Sequence, residues 1–149
     1  MSSGTPCPYT GTLHLPRLYG KLTLDEHGKL ADGYPAFGAG YDQMVATALG
    51  LTKEQVTLAA KGRSYTEFVM KLKHLGANFA TENIAKLNAS ITGYEHDDAT
   101  RQGILSAEGL TNADVDIKGA VELNILDDLR GFFASLQPQV KAPLGAGFP

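Results

Sequence analysis

The side chains best suited to chemistry gather between residues 14 and 42. His14, Arg17, Tyr19, Lys21, Tyr34, Tyr41 and Asp42 fall in this stretch, many beside glycine or proline. Loops of this composition concentrate function because a rigid scaffold can hold them in place. In an aromatic-lined cleft, Asp42 would act as a general base and Tyr34 or Tyr41 as a proton donor. Arg17 would anchor a carboxylate or stabilise a developing oxyanion. His14 lies closest to the loop and is the first histidine to test. This is the chemistry of a small cofactor-independent lyase, isomerase or hydrolase, or of a binder of small organic molecules. A structural alternative is equally concrete. Asp42 would cap its helix, Arg17 would pair with it, and the tyrosines would close over the core.

Other chemistries find less support. The four histidines, His14, His27, His74 and His96, include no pair at helical spacing. Glu95-His96-Asp97-Asp98 is dense in ligand types, but consecutive residues rarely converge on one ion, and it reads as an acidic turn opening a helix. Neither a metal nor a cofactor is expected. Gly-x-Ser-x-Gly, P-loop and dinucleotide-binding patterns are absent. Gly38-Ala-Gly40 before a helix is a weak anion motif with no phosphate-binding lysine after it. Ser64, Ser90 and Ser106 suit caps and surface. His74, next to Lys73, suits the negative end of a helix dipole. The single cysteine, Cys7, lacks a basic neighbour that would lower its pKa and reads as part of a loose N-terminal segment.

Positioning the 14–42 stretch requires helices. Residues 1–12 are rich in Ser, Gly, Pro and Thr and read as an irregular arm. Leu13–Leu24 carries Leu15, Leu18 and Leu22 on one helical face, with Pro16 in the first turn. Residues 29–40, with Gly33, Pro35, Gly38 and Gly40, predict a loop or small hairpin. Tyr41–Leu49 returns to helix and Gly50 closes it. Thr52-Lys-Glu-Gln55 and Ser64-Tyr-Thr-Glu67 are capping boxes, each before an apolar stripe: Val56, Ala59 and Ala60, then Phe68, Val69, Leu72 and Leu75. Thr81 is expected to cap a helix bearing Ile84, Leu87 and Ile91. Thr111–Asp114 is a weaker cap, ahead of a helix near Ala120–Ala134 that should bury Val121, Ile125, Leu126, Leu129 and Phe133. The fold class is therefore mainly α: a bundle of five to six short helices forming one domain over residues 13–137. A Pro/Gly-rich tail follows over 138–149.

The totals narrow the setting. The chain has 149 residues, a formal net charge of −3, 43% hydrophobic and 19% charged residues. These values describe a globular chain without a nucleic-acid or membrane footprint. Met1–Pro8 lacks the basic-then-apolar order of a secretion signal, and a cytoplasmic location is the default. Lys53–Lys73 is net basic and Glu82–Asp128 net acidic. That asymmetry and the two arms, with Tyr9 and Phe148, support a different class of function: a non-enzymatic helical adaptor, or a subunit that forms homo-oligomers.

Several short segments carry a family resemblance: Leu15-Pro16-Arg17 with Lys21 four residues on, the loop aromatic Tyr34, Asp42-Gln43, Leu49-Gly50-Leu51, the helix start near Ser64 and Leu126-Asp127-Asp128-Leu129. In this order they resemble a bacterial family, the DUF5069 domain of unknown function. Gly20 and Gly40 stand where that family carries an acidic residue and a proline. The resemblance implies a small, mostly helical fold and assigns no activity.

Overall fold

The computed structural model describes residues 1–136, and among them the regular structure is helical. Seven helices follow one another among the described residues: α1 (Leu15–Glu26), α2 (Tyr41–Leu49), α3 (Lys53–Ala60), α4 (Tyr65–His74), α5 (Thr81–Thr92), α6 (Asp98–Ala107) and α7 (Ala120–Leu136). The protein is mainly α, as the periodicity predicts, with one helix beyond the five to six expected. The tail expected over 138–149 lies outside the described residues. By packing, the described residues group into two compact units. One is Met1–Glu95 with Gly119–Val121; the other is His96–Lys118 with the described residues from Glu122 to Leu136.

In the first unit α1 is the central element, packed on α2, α3 and α4; α2 also meets α3 and α5, and α3 meets α4. Leu15, Leu18 and Leu22 are the buried face of α1, the stripe read from sequence, although the helix starts and ends two residues later than expected. Phe68, Val69 and Leu72 of α4, Val56 and Ala59 of α3, and Ile84, Leu87 and Ile91 of α5 complete the core. Each large apolar side chain buried this fully contributes about 1.5–3 kcal/mol. Both capping boxes form: Thr52 Oγ1 accepts from Gln55 N at 3.2 Å while Gln55 returns the bond, and Ser64 pairs with Glu67 in the same way. Gly50 ends α2 at φ 72°, a conformation that glycine adopts without a Cβ penalty. Two details differ from expectation. Thr81 is the first residue of α5 rather than its cap, which is Ala80. Residues 29–40 form turns and no strand, so of the two forms expected there the loop is adopted.

The arm, residues 1–12, is irregular but folded against the unit. Cys7 N donates to Thr12 O at 2.8 Å, and Pro6 bridges Leu13. Cys7 is buried, not loose as expected. Its thiol lies beside Tyr65, whose phenol is raised above its ordinary range, by burial first and then by Cys7. Asn88 clamps the end of the arm, accepting from Leu13 N at 3.0 Å and donating to Gly11 O at 2.9 Å.

In the second unit, Asp97 caps α6, accepting from Thr100 N at 2.7 Å, which explains the acidic run around it. Arg101 then organises the loop after α6. Its guanidinium donates to Asn112 Oδ1, to Ile117 O and, at 2.7 Å, to Val115 O. Thr111 and Asp114 do bond to each other, Thr111 Oγ1 donating to Asp114 Oδ2 at 2.8 Å, but they close a turn and no helix begins there. The helix starts at Ala120. Its expected buried stripe is only partly buried. Val121 is buried and Ile125 and Leu126 are intermediate, but Leu129 and Phe133 are exposed; Leu123 is buried instead. No described helix is long and apolar enough to cross a membrane.

Candidate functional site

The first polar group to be fixed is Asp42, the second residue of α2. Its carboxylate is buried and accepts from three sides. Oδ1 takes the His14 Nε2–H at 2.7 Å; Oδ2 takes the Gly38 N–H at 2.7 Å and an ion-pair hydrogen bond from the Lys21 ammonium. The 29–40 loop earns its place here, since its backbone supplies the Gly38 donor, and Pro35 O also receives Lys21 at 3.5 Å. Lys21 arrives from α1, one turn after Arg17.

His14 is the residue immediately before α1, with φ 65° and ψ −22°. It is the one described non-glycine residue with positive φ. A side chain held there costs on the order of 1–3 kcal/mol, a strain that persists only where the surroundings fix it. The His14 carbonyl still accepts the first helical bond from Leu18 N at 2.9 Å, while the ring is held between two partners. With Nε2–H given to Asp42, Nδ1 accepts the Ser3 hydroxyl at 3.0 Å; this tautomer is assigned from the network. The Tyr41 ring packs 5.3 Å from the imidazole, and the Tyr41 hydroxyl donates to Ile91 O at 3.0 Å.

Electrostatics follow from this arrangement. Burial lowers the His14 pKa and outweighs the opposing pull of Asp42; Lys21 and Arg17 lower it further. Burial thus favours the neutral imidazole. Burial alone would raise the Asp42 pKa and is its largest single influence. The hydrogen bonds from His14, Lys21 and Gly38 together outweigh it and hold the carboxyl below its ordinary range. A neutral imidazole oriented by an ionised carboxylate is the basic half of an acid–base device. Its free lone pair is occupied by Ser3.

Of the five residues proposed for chemistry, His14, Tyr41 and Asp42 come together. Arg17 donates to Met1 O at 2.7 Å, and the cation carried by Asp42 is Lys21. Tyr34 is exposed. Asp42 does not act as the side-chain cap of α2, since the helix opens at Gly40 without one. Lys21 was within reach of sequence reasoning, because it follows Arg17 by four residues on the same helical face. Ser3 carried no signal, lying in an arm of uniform Ser/Gly/Pro composition.

Among the described residues no group of His, Cys, Asp and Glu is placed to hold a metal ion. A groove of about 310 Å3 in the first unit is lined by Leu22, Asp25, Glu26, Thr57, Ala60 and Lys61, and so includes none of the proposed residues. Compared with protein families, curated proteins and solved structures, the chain matches none of them.

Proposed function

We propose that the protein works as a self-associating helical subunit, with the outer half of α7 as its docking surface. One observation carries this reading: Leu129, Phe132, Phe133 and Leu136 are 59%, 62%, 53% and 63% exposed. With Ile125 and Leu126 they form a single stripe, and Ile125, Leu129, Phe132 and Leu136 follow the four-three-four spacing of a coiled-coil seam. A helix draws most of its stability from packing its apolar face, and these turns leave more than half of theirs exposed. The four side chains are neighbours on one helix, and contiguous exposed apolar patches are often functional.

The occupant we assign is a second copy, with its α7 antiparallel. A parallel pair would set Asp127 and Asp128 level with their own copies. An antiparallel pair centred near Gly131 moves these two carboxylates away from their copies and keeps the seam in register. The cofactor-independent acid–base reading ranks second, because both Asp42 and His14 are buried and the Ser3 hydroxyl fills the His14 lone pair.

Sedimentation equilibrium tests the proposal. The full chain should form dimers that persist or tighten as salt rises, because the contact is apolar. Leu129→Glu/Phe133→Glu should be monomeric. A wild-type chain that stays monomeric at all concentrations sinks the proposal. So does a dimer unaffected by this double substitution, or one dissolved by salt, which would point to the charged segments instead.

A further inference from the structure

Outside the Asp42 cluster and the α7 stripe, one concave surface is built from two helices. On α1, Leu22, Asp25 and Glu26 stand at i, i+3 and i+4; at the end of α3, Thr57, Ala60 and Lys61 repeat the same spacing. This spacing puts each trio on one helical face. The two faces enclose the groove of about 310 Å3, a size at the lower end of small-molecule sites. Leu22 and Ala60 are buried and form its apolar floor, while Asp25, Glu26, Thr57 and Lys61 are exposed at its rim. Gly62 N donates to Glu26 Oε2 at 3.0 Å and ties the two helix ends together.

The rim is polarised. α1 ends on Asp25 and Glu26, with no basic residue in its last turn. Acidic groups there oppose the helix dipole, whose C-terminal end is already negative, so a cation is the complement this end lacks. α3 ends the opposite way. Lys61 follows it, and Arg63 Nη1 donates to the carbonyls of Leu58 at 3.0 Å and Lys61 at 3.2 Å. Among the described residues, no ion pair within 4.0 Å joins Lys61 to Asp25 or Glu26. Both signs therefore face one groove without closing on each other, which leaves room between them for a molecule that carries both.

We propose that this groove binds a small α-amino acid with an apolar side chain. The ligand's ammonium lies against Asp25 and Glu26, its carboxylate against Lys61, and its side chain on Leu22 and Ala60. The charged rim orients the ligand, and the apolar floor favours a hydrocarbon side chain over a polar one. Only α1 and the end of α3 contribute, so this inference and the α7 reading can fail separately.

L-leucine is the probe. Its two counterparts each lack one charge: 3-methylbutylamine has no carboxylate and 4-methylpentanoate no ammonium. Titrations followed by amide chemical shifts give both the affinity and the place, with Asp25, Thr57 and Gly62 as reporters. Leucine should bind the full-length protein with a Kd of about 1 mM or tighter and move these three signals. Each counterpart should bind about tenfold or more weakly. Asp25→Asn/Glu26→Gln and Lys61→Met should each weaken leucine by a similar factor. Glu26→Gln keeps a carbonyl for the Gly62 N–H, so the helix ends stay tied. Native helicity is checked first, and the three ligands on the wild type decide the matter if a variant misfolds. The proposal is overturned if leucine leaves the groove signals unmoved up to about 10 mM. It is equally overturned if either counterpart binds as tightly as leucine, or if leucine binds both folded variants as it binds the wild type.

Discussion

The polar cluster at the start of α1 and the outer turns of α7 solve opposite problems. Around Asp42, the carboxylate has been taken out of water and given partners from the same chain. Three segments contribute: the arm through Ser3, α1 through His14 and Lys21, and the 29–40 loop through Gly38. Along α7 the large apolar side chains from Leu129 to Leu136 are more than half exposed. The first region is closed upon itself, and its residues answer to folding. The second is open, and its residues answer to a partner. Substitutions in the first should register as lost stability, and substitutions in the second as lost association.

The largest effect should come from Asp42. Asp42→Ala leaves the Lys21 ammonium and the Gly38 N–H without their acceptor in the interior. Breaking a buried pair from one side costs about 3–5 kcal/mol, more than forming it contributes, because the remaining charge stays desolvated. Urea unfolding followed by circular dichroism would read this directly. A loss under about 1 kcal/mol would mean that the cluster behaves as a surface pair, and the contrast with α7 would collapse.

Acidification attacks the same cluster more gently. His14 has a folded-state pKa below its ordinary 6.5, so below that pH the unfolded chain binds the proton more readily. The His14 contribution is therefore complete above pH 6.5 and is lost as pH falls from there through the depressed folded value. Asp42 follows at lower pH, its stabilisation present above 3.8 and lost through its own depressed value. Stability measured at successive pH values should fall in that order. His14→Gln should flatten the first fall and leave the second. A profile in which wild type and His14→Gln run parallel through the first fall would remove His14 from the account.

Much of the helical frame was legible because local chemistry decided it. Thr52–Gln55 and Ser64–Glu67 close their boxes within four residues, and the stripes of α1, α4 and α5 bury the side chains their spacing predicts. Thr111–Asp114 shows the limit: the bonds between the two residues form, yet the chain goes on in a turn, because Arg101 engages the carbonyls of Val115 and Ile117. The site was legible in its types but not in its pairings. His14, Tyr41 and Asp42 meet; Lys21 takes the place expected of Arg17, a choice made by tertiary packing among cations one turn apart. Ser3 was invisible because nothing in a Ser/Gly arm marks which hydroxyl will be buried. The α7 stripe was visible, but periodicity reports that a face is apolar and cannot report what covers it. Hence the expected burial of Leu129 and Phe133 proved incorrect within this chain.

That last point sets the smallest effect and the sharpest one. If Leu129 and Phe133 served the interior of their own chain, replacing both with Gln would remove buried area and cost several kcal/mol, as large-to-small changes in a core do. Because they are exposed, Leu129→Gln/Phe133→Gln should change the stability of the dilute, monomeric protein by no more than about 0.5 kcal/mol. At higher concentration the wild type should gain stability with concentration while the variant does not, since association adds to stability only in the protein that can dimerise. Urea midpoints taken across a concentration series for both chains test the two statements at once. Equal midpoints that rise together would place the interface elsewhere. A variant destabilised even when dilute would show that these side chains are covered by their own chain, making α7 a second closed region.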